Sequence, residues 1–212
     1  MEYLSHIIGY LSTHRFLVFA AAMILFMLFI FRGGRKRKFL GTVLFIYGIL
    51  NLIIGPVINA SFLNKFGEMA DGKIIGMYKT STLYNEEPVY RYEALVKNPD
   101  GSTLETSFTS MDFNVYPALS GHRLPPVGVA FKLKYIPGAE SNFIILANER
   151  SEFVDQQNCI NLLNAIVQAE SKWKFDNQNG EYKAALSEAI DEYLGSDCGN
   201  QALENYYQGI LE

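Results

Sequence analysis

Residues 16–31 read FLVFAAAMILFMLFIF, residues 32–38 RGGRKRK and residues 39–58 FLGTVLFIYGILNLIIGPVI. The first run holds sixteen apolar residues without interruption, about 24 Å of helix and short of a hydrocarbon core of about 30 Å. Extending it back through Ile7, Ile8, Tyr10 and Leu11 closes the gap, with Arg15 snorkelling into one headgroup layer. The second run covers twenty residues and suffices alone. Both are too apolar on every side to be surface helices of a soluble domain. The expectation is a transmembrane helical hairpin.

Five cations, Arg32, Arg35, Lys36, Arg37 and Lys38, stand between the runs. A cleaved signal peptide carries its cations before the apolar stretch and small residues after it, the reverse of the order found here. Between two spans the cluster reads as a topology signal rather than a nucleic-acid or nuclear-import patch. The positive-inside rule then puts the loop in the cytoplasm and both chain ends across the membrane. In a bacterium this is a multi-pass inner-membrane protein with periplasmic N- and C-termini. Within the second run, Asn51 is the one strongly polar side chain at depth, suited to an interhelical hydrogen bond. Gly41, Gly48 and Gly55 recur every seven residues and face the small patch Ala20–Ala22, while Gly55-Pro56 suits a kink near the exit.

The charge is split along the chain. Residues 1–62 carry six cations against one anion, and residues 63–212 twelve against twenty-one, within a net charge of −4. A basic apolar third joined to an acidic remainder argues against a nucleic-acid partner. Three segments follow: a two-span hairpin over 1–62, a β domain over 63–147 and an acidic helical tail over 148–212.

After Phe62 the pattern changes to short alternating stretches: Gly72–Lys79, Val89–Lys97, Thr103–Phe113, Val129–Ile136 and Phe143–Leu146. Asn98-Pro-Asp-Gly101 turns the second stretch into the third, and Pro137-Gly138 turns the fourth. Gly121–Gly128 holds two prolines and two glycines and reads as a loop. Val129, Phe131, Leu133 and Tyr135 point inward, Lys132 and Lys134 outward. The fold class expected is a membrane α-helical hairpin followed by an α+β ectodomain. That ectodomain is a small antiparallel sheet or partial barrel with a C-terminal helical tail.

The order Gly72-Lys-Ile, Tyr92, Asn98-Pro-Asp-Gly101, Val127-Gly128 and Val129-x-Phe-x-Leu-x-Tyr135-Ile-Pro137 resembles a family of bacterial membrane-anchored β domains of unknown function. Its members share a "dG … vG … V-x-Y-x-P" pattern beside transmembrane helices. The resemblance covers about residues 68–147 and implies a tethered β domain, with no activity or catalytic residues. Many members place a span after the β domain, whereas here both apolar runs precede it and an acidic tail follows.

In that tail Ser151 is the expected N-cap of a helix running to Trp173, with Phe153, Ile160, Leu163 and Val167 in one stripe and Ile166 and Trp173 extending it. A second helix over Gly180–Leu194 places Tyr182, Leu186, Ala189, Ile190 and Tyr193 together, with Gly195 at its C-cap. A short third helix covers Asn200–Ile210. Two antiparallel helices bring Cys159 and Cys198 within disulfide reach, and an extracytoplasmic location permits oxidation. Residues 148–212 hold four cations and twelve anions, an acidic surface that steers a basic partner, Asp191 and Glu192 among it.

Catalytic signatures are absent: no Gly-x-Ser-x-Gly elbow, phosphate-binding loop or His-Glu-x-x-His. His122 is the one ectodomain histidine, and a hydrolase built on it with Cys159 or Cys198 lacks motif support. No cofactor, metal site or catalytic residue is expected. Tyr78, Tyr84, Tyr90 and Tyr92 suit both strands and binding surfaces. The sequence therefore implies a non-enzymatic membrane-anchored interaction protein whose periplasmic part meets a protein partner, in sharpest form a toxin neutralised by an immunity protein. The alternative is an accessory subunit of a membrane transport or envelope complex.

Overall fold

The computed structural model describes residues 1–112, 114–117, 123–199 and 201–211. It begins with three helices, α1 (Glu2–Thr13), α2 (Arg15–Arg32) and α3 (Arg35–Phe66). At about 1.5 Å per residue α2 is about 27 Å long and α3 about 48 Å. Both are long and apolar enough to cross a bilayer. The break between α1 and α2 falls at His14, whose ring stacks on Tyr10 with centroids 4.2 Å apart.

The small-residue stripe packs the hairpin. Gly41 lies against Phe29 and Phe26, and a Cβ added at Gly48 would come 2.9 Å from the Ala22 Cβ. Phe26 stacks on Phe45 at 4.8 Å. Asn51 is buried and its Nδ2 donates to the Leu11 carbonyl at 2.9 Å. Its bond therefore reaches α1 and satisfies a carbonyl at the end of that helix. Gly55 leaves room for this amide, since a Cβ there would stand 2.7 Å from Asn51 Oδ1.

The sheet contains β1 (Glu68–Tyr84), β2 (Glu87–Lys97), β3 (Thr103–Thr109), β4 (Val115–Tyr116), β5 (Ala130–Tyr135) and β6 (Phe143–Leu146). Their spatial order is β3-β2-β1-β5-β6-β4. Two departures from the sequence expectation stand out. β1 begins four residues earlier than Gly72 and runs five past Lys79, because β5 and β2 pair with its opposite ends. The sheet is also mixed rather than antiparallel, since β4 pairs parallel with β6. The third stretch closes as a strand at Thr109, and the expected end at Phe113 lies outside the described residues. Phe108 of β3 meets Phe143 of β6 edge to face at 5.4 Å, so strands far apart in the order touch and the sheet is curled. Gly72 permits that curl, because a Cβ there would strike the Phe131 ring and Leu133.

The helices and the sheet form one compact unit, residues 1–149. Ala60 and Leu63 of α3 share a buried core with Ile136, Ala139, Ile144 and Leu146. Above it Asn142 ties three elements together. Its Nδ2 donates to Ser5 O, Ser5 Oγ and Asn59 Oδ1, each at 3.1 Å, and its Oδ1 accepts from Asn59 Nδ2 at 2.8 Å. Gly9 makes room, since a Cβ there would lie 2.7 Å from the Asn142 Cγ. His6 adds a contact from Nε2 to the Gly138 carbonyl at 3.0 Å.

Residues 150–212 form a second compact unit built from α4 (Glu152–Phe175), α5 (Gly180–Leu194) and α6 (Gln201–Leu211). Ser151 caps α4 by accepting from Val154 N, and Asn179 caps α5 by accepting from Glu181 N. Ile166, Ala169, Leu186, Ile190, Tyr193 and Tyr207 make the core. Ile160 and Val167 are exposed, contrary to the expected stripe. The face that packs runs through Leu162, Leu163, Ile166, Ala169 and Trp173, so Leu163, Ile166 and Trp173 of the expected stripe lie on it. The Cys159–Cys198 disulfide, Cα atoms 5.6 Å apart, lies on that face.

Candidate functional site

The surface left open by strand pairing is the outer half of the β1–β2 ribbon. On the β1 side, β5 pairs only as far as Lys73, and a last bond runs from Gly128 N to Ile74 O at 2.8 Å. On the β2 side, Ser110 closes the ladder at Tyr90. From Ile75 onward the β1 edge has no third strand among the described residues.

Two irregularities shape this ribbon. One residue is inserted between Ile74 and Gly76, and a wider shift separates Lys79 from Leu83. Bulges raise the local twist and bend a strand. Thr80 Oγ1 spans the second by donating to Val89 O at 2.7 Å. The ribbon turns at Asn85 and Glu86, both in the left-handed region at φ +50° and +69°. Such a two-residue turn matches strand twist, and asparagine suits its first position better than glutamate suits its second.

The four tyrosines do not form one patch. Tyr90 and Tyr92 lie on the face that carries Ala94 and Val96 into the core, opposite Lys79 and Met77. Tyr92 stacks on Phe108 at 5.1 Å, and burial together with neighbouring Tyr90 holds its hydroxyl pKa above the ordinary value. Tyr78 pairs with Arg91 on the reverse face and is 55% exposed, and Tyr84 stands exposed at the hairpin end. Ile75 and Met77 are exposed beside Tyr78. The one-residue insertion after Ile74 sets Tyr78 opposite Arg91, so the four candidate tyrosines fall on both faces of the ribbon.

Two cavities flank the junction of helices and sheet. One of about 510 Å³ is lined by His6, Gly9, Tyr10, His14 and Asn142. The other, about 450 Å³, is lined by Thr13, Arg15, Asn59, Thr109, Asp112 and Phe143 among others. The Asp112 carboxylate accepts from Thr109 N at 2.7 Å and closes its own turn. His14 Nδ1 lies 3.2 Å from the Tyr10 carbonyl. Both helical histidines thus hold backbone, and His122 lies outside the described residues. Among the described residues no three His, Cys, Asp or Glu side chains are grouped to hold a metal ion.

In the acidic tail, Asp191 and Glu192 are exposed in the last turn of α5. Anions there oppose the helix dipole, by about 0.3–1 kcal/mol each. Arg35, Lys36, Arg37 and Lys38 are likewise exposed in the first turn of α3, where cations oppose it. Both groups sit where local helix energetics disfavour them. Comparison of the chain with protein-family models, curated proteins and solved structures finds no match in any of the three. The first compact unit is thus an apolar helical hairpin joined to a curled six-stranded sheet whose β1–β2 ribbon keeps an open edge.

Proposed function

We propose that this is a membrane-anchored interaction protein without enzymatic activity, whose periplasmic part binds a protein partner. The spans are α2 and α3, in a bacterial inner membrane, with residues 32–38 cytoplasmic and both termini periplasmic. Supporting this, α2 buries only Ala22, and large apolar side chains such as Ile24, Leu28, Val43, Ile46 and Ile53 face outward. An apolar surface of that extent marks an interaction site or a lipid face. The four cations opening α3 gain anionic headgroups there.

The observation that carries the partner reading is the ribbon edge at Ile75, Met77 and Tyr78, exposed on a sheet that α1 and α3 seat firmly. An open strand edge accepts an added strand through its backbone groups, and exposed Met77 and Tyr78 offer side-chain contacts on its two faces. A toxin neutralised at the membrane is the partner this geometry serves best, because binding needs proximity and a fixed edge rather than a reaction. A photo-crosslinking residue at Tyr78 tests it in the native host. A protein adduct that weakens with Ile75→Glu is expected, and absence of any protein adduct at Tyr78 and Met77 would refute it. The same probe at Glu192 shows whether the acidic tail shares the partner. Adducts confined to Ile24, Leu28 and Ile46 would instead make the chain a subunit of a membrane complex.

A further inference from the structure

The tip of the β1–β2 hairpin comes back to the helices. Tyr84 lines a pocket of about 180 Å³ with Ser110, Met111 and Asp112 on one side and Arg15 and Phe16 of α2 on the other. The ribbon that leaves the end of α3 at Glu68 therefore returns, through its two bulges, to the level where α2 begins. That level has a physical meaning if α2 spans a bilayer. Its 18 residues measure about 27 Å between Arg15 and Arg32, close to a hydrocarbon core of about 30 Å. Arg15 then marks the outer headgroup layer.

At this level two large apolar side chains stand exposed beside the charged turn of the hairpin. Leu83 is 65% exposed and Tyr84 56%, next to Phe16 at 59% and Leu17 at 65%. Tyr84 thus adjoins, across the small pocket, the outward face of α2 at Phe16, and Leu83 stands exposed next to it along the strand. Tyrosine is enriched at the interface because its ring enters the acyl boundary while its hydroxyl stays hydrated.

We propose that the β1–β2 hairpin tip lies on the outer phospholipid surface, Leu83 and Tyr84 entering the interface beside Phe16. The turn carries Glu86 and Glu87, so the surface it fits is zwitterionic, since anionic headgroups repel it. The contact gives the ribbon a second fixed end and holds the Ile75–Tyr78 edge parallel to the membrane. This rests on the membrane reading of α2 and α3.

The test uses the full chain, disulfide intact, in phosphatidylcholine nanodiscs free of other proteins. Single cysteines carrying an environment-sensitive fluorophore are placed, in separate variants, at Leu83, Tyr84, Ile24 and Lys97. Lys97 is ten residues from Glu87 along β2, about 33 Å away. Expected are strong quenching at Leu83 and Tyr84 by lipids spin-labelled near the headgroup, at least fivefold above Lys97. Deep-chain quenching at Ile24 accompanies it, and the tip signal falls when phosphatidylglycerol replaces phosphatidylcholine. Leu83 and Tyr84 quenched no more than Lys97, with Ile24 still quenched, overturns the lipid contact and returns the tip to the protein-binding surface. Ile24 unquenched as well overturns the membrane reading itself.

Discussion

Asn142→Ala removes the amide that joins α1, α3 and the β5–β6 connection. Lost are the bonds from Nδ2 to Ser5 O, Ser5 Oγ and Asn59 Oδ1 and the reciprocal bond from Asn59 Nδ2. A net hydrogen bond is worth about 1 kcal/mol, and a buried polar group left without partner costs about 1–3 kcal/mol. Ser5 is fully buried and carries that penalty, whereas Asn59 is half-buried and recovers water. Asn142 also lines both junction cavities, so water entering the vacated space offsets part of the loss. The balance is about 2 kcal/mol. Since 1.4 kcal/mol is a factor of ten, amide exchange across β6, at Ile144 to Leu146, should accelerate about 30-fold through openings that lift the sheet from the helices. Exchange in α4 and α5 should not change, because those helices belong to the second compact unit. Acceleration of less than threefold at β6 would show that Asn142 does not seat the sheet and that the apolar core at Leu63 and Ile144 suffices.

Glu86→Gly relieves the left-handed strain at φ +69° and should stabilise the hairpin by about 1 kcal/mol, read as slower exchange at Tyr78 and Tyr90. Reducing the Cys159–Cys198 disulfide opens a loop spanning 39 residues, about 4 kcal/mol in the chain-entropy account, so the helical melting transition should fall steeply with reductant; an unchanged midpoint would contradict it. Burial, with Glu170 and neighbouring tyrosines, raises the Tyr207 pKa in the folded tail. The unfolded tyrosine ionises first, so this stabilisation is full below about pH 10. It is lost as pH rises through the folded value, and Tyr207→Phe should flatten that alkaline fall in tail stability.

Local signals were the legible ones. The Asn98-Pro-Asp-Gly turn forms with Gly101 at φ +86°, Ser151 caps α4 and α5 covers Gly180–Leu194. Of the seven-residue glycine stripe, Gly48 meets the alanine patch as expected, at Ala22 across one short loop, whereas Gly41 meets Phe29 and Gly55 makes room for Asn51 of its own helix. What escaped depends on distant partners. Ser5 and Gly9 look unremarkable until Asn142, more than 130 residues on, fills the space between them. Thr80-Ser-Thr82 carries no hydrophobic alternation, so the ribbon's extension to Tyr84 was invisible. Which tyrosines share a face was not legible either, because the one-residue insertion at Ile75 shows only in the register with the opposite strand. The stripe on α4 was right at Leu163, Ile166 and Trp173 and too wide at Ile160 and Val167, because helical spacing admits all of them and only α5 chooses which are covered.

The most direct test of the membrane account is protease digestion of intact spheroplasts of the native host, with samples run on reducing and non-reducing gels. The account predicts that residues 67–212 are cut from outside, that residues 32–38 are protected until lysis, and that the Cys159–Cys198 fragment shifts on reduction. Protection of the acidic tail until lysis would reverse the topology and contradict a periplasmic partner.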